Sequence, residues 1–185
     1  MNTTDKQYEK IVNGCKETFL SKNQEYRISW KHYRLIGIID KLLIKVMRII
    51  SLQNGAENRV GDSIQSEFEA IVNYGAIAVS LFQKQNEQFD AEWNNARYIE
   101  SYKNSLALTR TLMQKKNHDY GEAWRLMHVR SIADEIRTKL ARAIQMEKLD
   151  LDENGKKNLE SNFMDISNYA IFALILIEEG RDPMD

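Results

Sequence analysis

Charged side chains with helical spacing occur in the second half of this 185-residue chain. Asp165 and Asn168 are three residues apart, at the point where a polar segment becomes almost entirely apolar. An unpaired charge at the edge of a buried helix is costly, so the carboxylate of Asp165 requires a partner. Either a lysine or arginine side chain or a divalent metal ion would satisfy it.

A second charged group precedes Asp165 in the sequence. Glu135, Lys139 and Arg142 are spaced at i, i+4 and i+7, which places them on one face of a predicted helix, with Asp134 next to them. A structural alternative stays open, because Asp134 and Glu135 could form ordinary ion pairs along the helix surface. Asp165 could likewise pair with Lys139 or Arg142, since structural ion pairs resemble functional sites.

A Lys-Asn-His-Asp-Tyr-Gly segment is the other candidate for a binding site. Gly121 can adopt a positive φ and bring a backbone N–H close to an anion, and Lys116 and Asn117 add donors. The alternative is a turn that only ends a helix, in which asparagine and glycine are present because they tolerate the backbone conformation of the turn. Tyr120 and Trp124 could pack in the core or stack on a base.

The sequence contains an internal repeat. Residues 22–30 reappear as residues 116–124, with identical Lys, Asn, Tyr and Trp. Two further blocks match in the same order: Asp40, Lys45 and Arg48 match Asp134, Lys139 and Arg142, and Phe68, Asn73 and Tyr74 match Phe163, Asn168 and Tyr169. The chain is therefore predicted to consist of two copies of a unit of ~90 residues, at 1–88 and 89–185, sharing one core.

The two copies differ in their acidic residues. The first copy has Ala70 where the second has Asp165, so the second copy carries the fuller set of carboxylates. We expect one principal site built around Asp134 and Asp165, completed by Glu67 of the first copy. The first copy would hold a degenerate counterpart. Two such units can pack as a homodimer fused into one chain, and pairing of two chains stays open.

The apolar residues recur with helical spacing almost throughout, and no segment alternates with a period of two. The predicted helices cover about 5–22, 30 or 35 to 52, 62 or 63 to 85, 90–115, 129–147 and 157–179. The Lys-Asn blocks are predicted to be turns. The expected fold is all-α, with two three-helix units packed as a pseudo-twofold six-helix bundle. Its third and sixth helices are expected to cross at the centre, either against each other or against the second helix of each copy.

Composition limits the class of protein. A net charge of −1 gives no general attraction to nucleic acid or anionic membranes. The single cysteine, Cys15, excludes an internal disulfide and is typical of a reducing compartment. The first residues lack the apolar core of a signal peptide, and the apolar run at 166–177 is too short to span a bilayer. We therefore expect a cytoplasmic protein without a membrane segment.

The block at 116–124, followed by Asp134, Lys139, Arg142 and the segment Asp-Ile-Ser-Asn-Tyr-Ala at 165–170, resembles the nucleotide-modification-associated domain family. The resemblance covers essentially the whole chain as two units and is stronger in the second. The helical layout and helix-borne acids of that family are similar to the all-α nucleoside triphosphate pyrophosphatases, the MazG and dimeric dUTPase group.

The resemblance implies a Mg²⁺-dependent enzyme that releases pyrophosphate from a (deoxy)nucleoside triphosphate. The implied catalytic and metal-binding acids are Asp134, Asp165 and Glu160. The implied nucleotide-binding set is Lys116, Asn117, Asp119, Tyr120, Gly121, Trp124, Lys139, Arg142 and Asn168. The alternative is a non-catalytic helical module that binds a nucleotide or docks onto a partner.

Overall fold

The computed structural model describes residues 3–26, 29–85 and 94–181. In that part of the chain there is no strand, which confirms the all-α prediction. The helices are α1 (Thr3–Tyr26), α2 (Leu35–Gln53), α3 (Ile64–Gln85), α4 (Asn95–Tyr120), α5 (Val129–Glu147) and α6 (Glu153–Glu178). Two short 3-10 helices, Ser29–His32 and Ala123–Leu126, precede α2 and α5.

The predicted turns at the two Lys-Asn blocks are wrong. Both α1 and α4 continue through these blocks and reach the following tyrosine. α4 stops only at Gly121, which takes a left-handed conformation with φ 60° and donates its N–H to the Asn117 carbonyl at 2.9 Å. Lys116 and Asn117 therefore lie on the last turn of a helix, where their side chains have fixed directions. The predicted start of this helix, Asp90, lies outside the described residues.

The other boundaries agree better with the sequence. α5 has the predicted bounds, and α2 and α3 differ from their predictions by one or two residues. α6 begins four residues earlier than expected, at Glu153, because Asp152 caps it by accepting a hydrogen bond from the Gly155 N–H at 2.7 Å.

The core lies around α3 and α6, which contact each other and together contact all four other helices. The backbones come close at Gly75, where an added Cβ would lie 2.1 Å from the Ser167 hydroxyl oxygen. α6 is buried almost continuously from Asn162 to Leu176. Within the described residues, no helix is both long enough and apolar enough to cross a bilayer.

A buried asparagine of α6 connects the two units. The Tyr8 hydroxyl of α1 donates to Oδ1 of Asn168 at 2.7 Å, and Nδ2 of Asn168 donates to the Thr109 carbonyl of α4 at 3.1 Å. Because both hydrogen-bonding ends of the amide are occupied, its orientation is fixed.

The equivalent asparagine of α3 makes the same two bonds, with the roles of the two units exchanged. The Tyr102 hydroxyl of α4 donates to Oδ1 of Asn73 at 2.7 Å, and Nδ2 of Asn73 donates to the Cys15 carbonyl of α1 at 3.1 Å. Each asparagine thus receives its hydroxyl donor from the other unit. The repeat is therefore present in the hydrogen bonding as well as in the sequence, although a pseudo-twofold relation of the whole bundle stays a prediction.

Candidate functional site

A cavity of about 410 Å³ lies between the end of α4, the following 3-10 helix and α6. Most of its wall is aromatic or thioether, and polar groups are concentrated on the α4 and α6 sides. Its lining residues are Met113, Lys116, Asn117, Tyr120, Ala123, Trp124, Met127, Asp165, Asn168, Tyr169 and Phe172. This second-unit cavity brings together six of the side chains predicted from the sequence.

An ion-pair cluster forms the polar end of the second-unit cavity. Oδ1 of Asp165 lies 2.5 Å from the Lys116 ammonium group, and Oδ2 lies 2.9 Å from that of Lys139. Asp165 is buried, whereas 44% of the Lys116 side chain is exposed. The carboxylate therefore uses both oxygens on lysine. The pair with Lys139 is one that the structural alternative named, whereas the pair with Lys116 was not expected and holds that lysine at the cavity.

Trp124, a lining residue of the second-unit cavity, contains a buried unsatisfied donor. Its ring stacks on Phe172 with centroids 4.3 Å apart, and the Arg125 guanidinium lies 4.4 Å from its centroid. The indole is 6% exposed, yet its Nε1–H has no hydrogen-bond partner in the part of the chain that the structure describes. Buried donors are nearly always paired in folded proteins, so this one needs a partner.

Asn117 is the neighbouring polar group. Its Nδ2 lies 3.1 Å from the Met113 sulfur, a weak acceptor, and its Oδ1 receives no bond from the described residues. Two residues of the same cavity wall, Trp124 and Asn117, therefore contain a donor and an acceptor without a strong partner, and the donor is buried.

The first unit contains a smaller counterpart of about 210 Å³. It is lined by Phe19, Lys22, Asn23, Ser29, Trp30, Tyr33, Ala70, Asn73, Tyr74 and Ile77. Each of these residues occupies the position equivalent to a lining residue of the second-unit cavity. The same surface is therefore concave in both units.

The tryptophan and the asparagine of the first-unit cavity are satisfied internally. The Trp30 indole donates to Oδ1 of Asn23 at 3.2 Å, and Nδ2 of Asn23 donates to the Phe19 carbonyl at 2.7 Å. No carboxylate replaces Asp165 here, because Ala70 occupies its position. The tryptophan–asparagine pair is thus closed in one unit and open in the other.

The predicted completion of the site by Glu67 does not occur. Glu67 is buried and pairs with Lys45 of α2, with 2.9 Å between the charged atoms. This lysine is the first-unit equivalent of Lys139. Glu67 therefore belongs to the first unit's own ion pair.

The three acids predicted to bind metal do not come together. Asp134 is exposed and pairs with Arg137 along α5 at 3.2 Å. Glu160 is half-buried, which raises the pKa of its carboxyl, but it does not line the second-unit cavity with Asp165. Among the described residues, no group of three or more histidine, cysteine, aspartate or glutamate side chains could hold a metal ion. A catalytic role for these acids stays a prediction.

The model of one protein family matches residues 22–81 and 116–177, a segment in each unit. Its description is nucleotide modification associated domain 1. The chain belongs to this family. The two matches confirm both the resemblance and the tandem arrangement, and each begins at the lysine of a Lys-Asn block. No curated protein and no solved structure matches the chain significantly, so the similarity to pyrophosphatases stays a prediction.

The remaining predicted residues lie at or outside the rim of this family member's second-unit cavity. Tyr120 is 72% exposed at the rim, and Gly121 follows it and ends α4. Asp119 is exposed and contacts the imidazole of His118 at 3.0 Å. Arg142 is exposed on α5 and does not line the cavity.

Two aromatic lining residues of the family's second segment were missed from the sequence. Tyr169 and Phe172 lie within the apolar run of α6, which hides them among core residues. Lys139 lies 5.8 Å from the Tyr169 ring centroid, and burial raises the pKa of the Tyr169 hydroxyl, with smaller effects from Glu135 and Asp165. The match between Tyr74 and Tyr169 in the repeat was the available signal.

Arg125 was also missed, because its partners come from distant parts of the chain. Its guanidinium bonds Glu122 at 2.8 Å, Glu179 at 2.9 Å and the Thr4 hydroxyl at 2.6 Å. Glu122 has φ 58°, the one positive φ among the described non-glycine residues. The arginine therefore fixes the short helix that carries Trp124 against both ends of the chain's described part.

Proposed function

We propose that the second-unit cavity binds a nucleotide, with the base against the aromatic wall and the phosphate at Lys116. The observation that carries this proposal is the open indole N–H of Trp124. Its equivalent, Trp30, is paired with Asn23, so the fold provides an internal partner at this position that the second unit does not use. An acceptor atom of a base would accept a hydrogen bond from the Trp124 indole N–H, and a base N–H could donate to Oδ1 of Asn117.

The size and wall of the cavity support this proposal. Small-molecule sites typically enclose about 300–1,000 Å³ and combine apolar walls with a few polar groups. The second-unit cavity, at about 410 Å³, has this character. Tyr120 and Tyr169 border it, and stacking of a base on an aromatic ring contributes ~1–3 kcal/mol.

Lys116 supports the placement of the phosphate. Its ammonium group is anchored by Asp165 on one side, while nearly half of its side chain remains exposed. A lysine in this position can donate a charge-assisted hydrogen bond to a phosphate oxygen. Asp165 would position Lys116 and would not contact the phosphate.

The described residues do not fit the Mg²⁺ site that the resemblance implies. Asp165 is the one carboxylate among the lining residues, and both of its oxygens are occupied by lysine. Asp134 and Glu160 lie elsewhere. We derive no catalytic step through the metal. Mg²⁺-dependent pyrophosphate release remains the competing proposal, and a pyrophosphate assay of the wild type would decide in its favour if turnover is seen.

The test compares two substitutions at equivalent positions. Trp124→Phe and Trp30→Phe each remove one indole N–H, but only the first alters the open donor. We expect nucleotide binding, measured by calorimetry, to weaken roughly threefold to tenfold in Trp124→Phe, in line with loss of one hydrogen bond, and to be unchanged in Trp30→Phe. Equal effects of the two substitutions, or no binding by the wild type across ribo- and deoxyribonucleotides, would refute the proposal.

A further inference from the structure

We infer that the second-unit cavity selects a nucleoside monophosphate over the corresponding triphosphate. The inference rests on the proposed nucleotide site and specifies the charge of its ligand. It depends on how many cations reach the cavity, and on which of them are already neutralised.

Among the described residues that line the second-unit cavity, the single cation is Lys116. Together with Lys139 and Asp165 it forms a cluster with a net charge of one positive unit. A phosphate monoester carries about −1.5 to −2 charges at neutral pH. One such group already uses the whole positive charge of this cluster, and each additional phosphate would bring negative charge that the described lining residues do not balance.

The basic groups on the surrounding elements either have other partners or lie outside the lining of the cavity. Arg125, on the short helix, bonds Glu122 and Glu179. His118 contacts Asp119 at the end of α4. Lys115 is exposed beside Lys116 but does not line the cavity. Arg181 donates to the Met127 carbonyl at 3.3 Å and to the Arg125 carbonyl at 3.5 Å. Among the described residues, none of these groups adds a second cation to the lining of the cavity.

Arg110, which precedes Lys116 on α4, is also paired with acidic residues. It lies 3.4 Å from the carboxylate of Asp5 and 4.0 Å from that of Glu9. Both acids belong to α1, so this arginine joins the two units and does not face the cavity.

A metal ion is the usual means of neutralising a triphosphate, and it is held by one or two carboxylates in addition to the phosphates. Asp165 is the available lining carboxylate, and its two oxygens already accept from two ammonium groups. Binding Mg²⁺ there would require displacing both lysines, and one of them, Lys116, is the group proposed to receive phosphate. The same residues therefore favour a ligand that arrives without a metal.

The experiment is calorimetry on the full chain with each nucleoside, its monophosphate and its triphosphate, with and without Mg²⁺, at constant ionic strength. We expect the preferred monophosphate to bind about tenfold tighter than both its nucleoside and its triphosphate. Lys116→Gln should remove the advantage over the nucleoside, and Lys116→Arg should retain most of it. Lys22→Gln, at the equivalent position of the first unit, should leave all affinities unchanged.

The outcomes separate this inference from the proposed function. A triphosphate that binds more tightly than the monophosphate, and loses affinity in Trp124→Phe, would overturn the inference while leaving the nucleotide site in place. Absence of binding by any of the compounds would overturn the proposed function itself. The wild-type series decides between these results even if Lys116→Gln does not fold.

Discussion

The hydroxyl of Tyr8 donates to Oδ1 of Asn168 across the boundary between the two units, at a distance of 2.7 Å. Both residues are almost fully buried, and Asn168 also lines the second-unit cavity. A residue of α1 therefore fixes the orientation of a polar group in the candidate site of the other unit.

Tyr8→Phe should lower the free energy of unfolding by about 1–3 kcal/mol, because it leaves a buried amide oxygen without a donor. Tyr102→Phe should have a similar effect through Asn73. Urea unfolding measures both. Only Tyr8→Phe should also weaken nucleotide binding, since Asn168 belongs to the proposed site. A loss below about 0.5 kcal/mol in both variants would show that the amides find other partners.

Asp165→Ala should destabilise the protein by about 2 kcal/mol. Removing one member of a buried ion pair costs about 3–5 kcal/mol when the remaining charge stays buried, but Lys116 can turn toward solvent. Asp134→Ala is the matched control, because its pair with Arg137 is exposed and should contribute under about 0.5 kcal/mol. Thermal or urea unfolding gives the comparison. Equal losses would contradict the arrangement described for the two acids.

Gly75→Ala should destabilise the bundle, because the new methyl group would collide with the Ser167 hydroxyl at the contact of α3 and α6. The double variant Gly75→Ala, Ser167→Ala should recover the loss, since the colliding oxygen is gone and alanine gains about 1 kcal/mol over glycine in a helix. A double-mutant cycle from denaturant unfolding tests this. Additive effects of the two substitutions would show that the close approach is absent in solution.

Cys15 should resist alkylation while the protein is folded. Burial of the thiol, with a smaller effect from the Glu69 carboxylate, raises its pKa to about 12. The unfolded thiol has a pKa of about 8.5, so between about pH 8.5 and 12 the unfolded chain releases a proton that the folded chain retains. Stability from this group is thus complete below about pH 8.5 and falls by about 1.4 kcal/mol per pH unit above it.

Two measurements test this behaviour of Cys15. Native-state labelling with iodoacetamide should proceed only as fast as the protein opens. The alkaline loss of stability should be smaller in Cys15→Thr, which carries the residue found at the equivalent position, Thr109. Rapid labelling at pH 8 under native conditions would contradict the burial of the thiol.

The helices and the repeat could be predicted because both depend on residue patterns along the chain. The bounds of α5 follow from its apolar spacing alone. The Lys-Asn blocks misled the prediction because asparagine and glycine also occur at the last turn of a helix, and Gly121 ends α4 four residues after Asn117. Local turn signals mark the region of a helix end but do not fix the residue.

The candidate site was predicted only in part. Asp134 and Lys139 are five residues apart, about 140° around a helix of 3.6 residues per turn, so Lys139 reaches Asp165 while Asp134 remains outside. That difference was available in the sequence. The missing hydrogen bond of Trp124 could not be predicted, because it depends on the side-chain conformation of Asn117, whose Nδ2 contacts the Met113 sulfur.

The hydrogen bonds that Tyr8 and Tyr102 each donate to the other unit restrict how the two copies can diverge in sequence. After duplication, copies of a repeat usually accumulate substitutions independently. Here a substitution at Tyr8 would remove the donor of Asn168, and a substitution at Tyr102 would remove the donor of Asn73. Each copy therefore limits which substitutions the other can tolerate. Divergence is therefore easiest at positions that make no such bond, and the difference between Ala70 and Asp165 is at one of these.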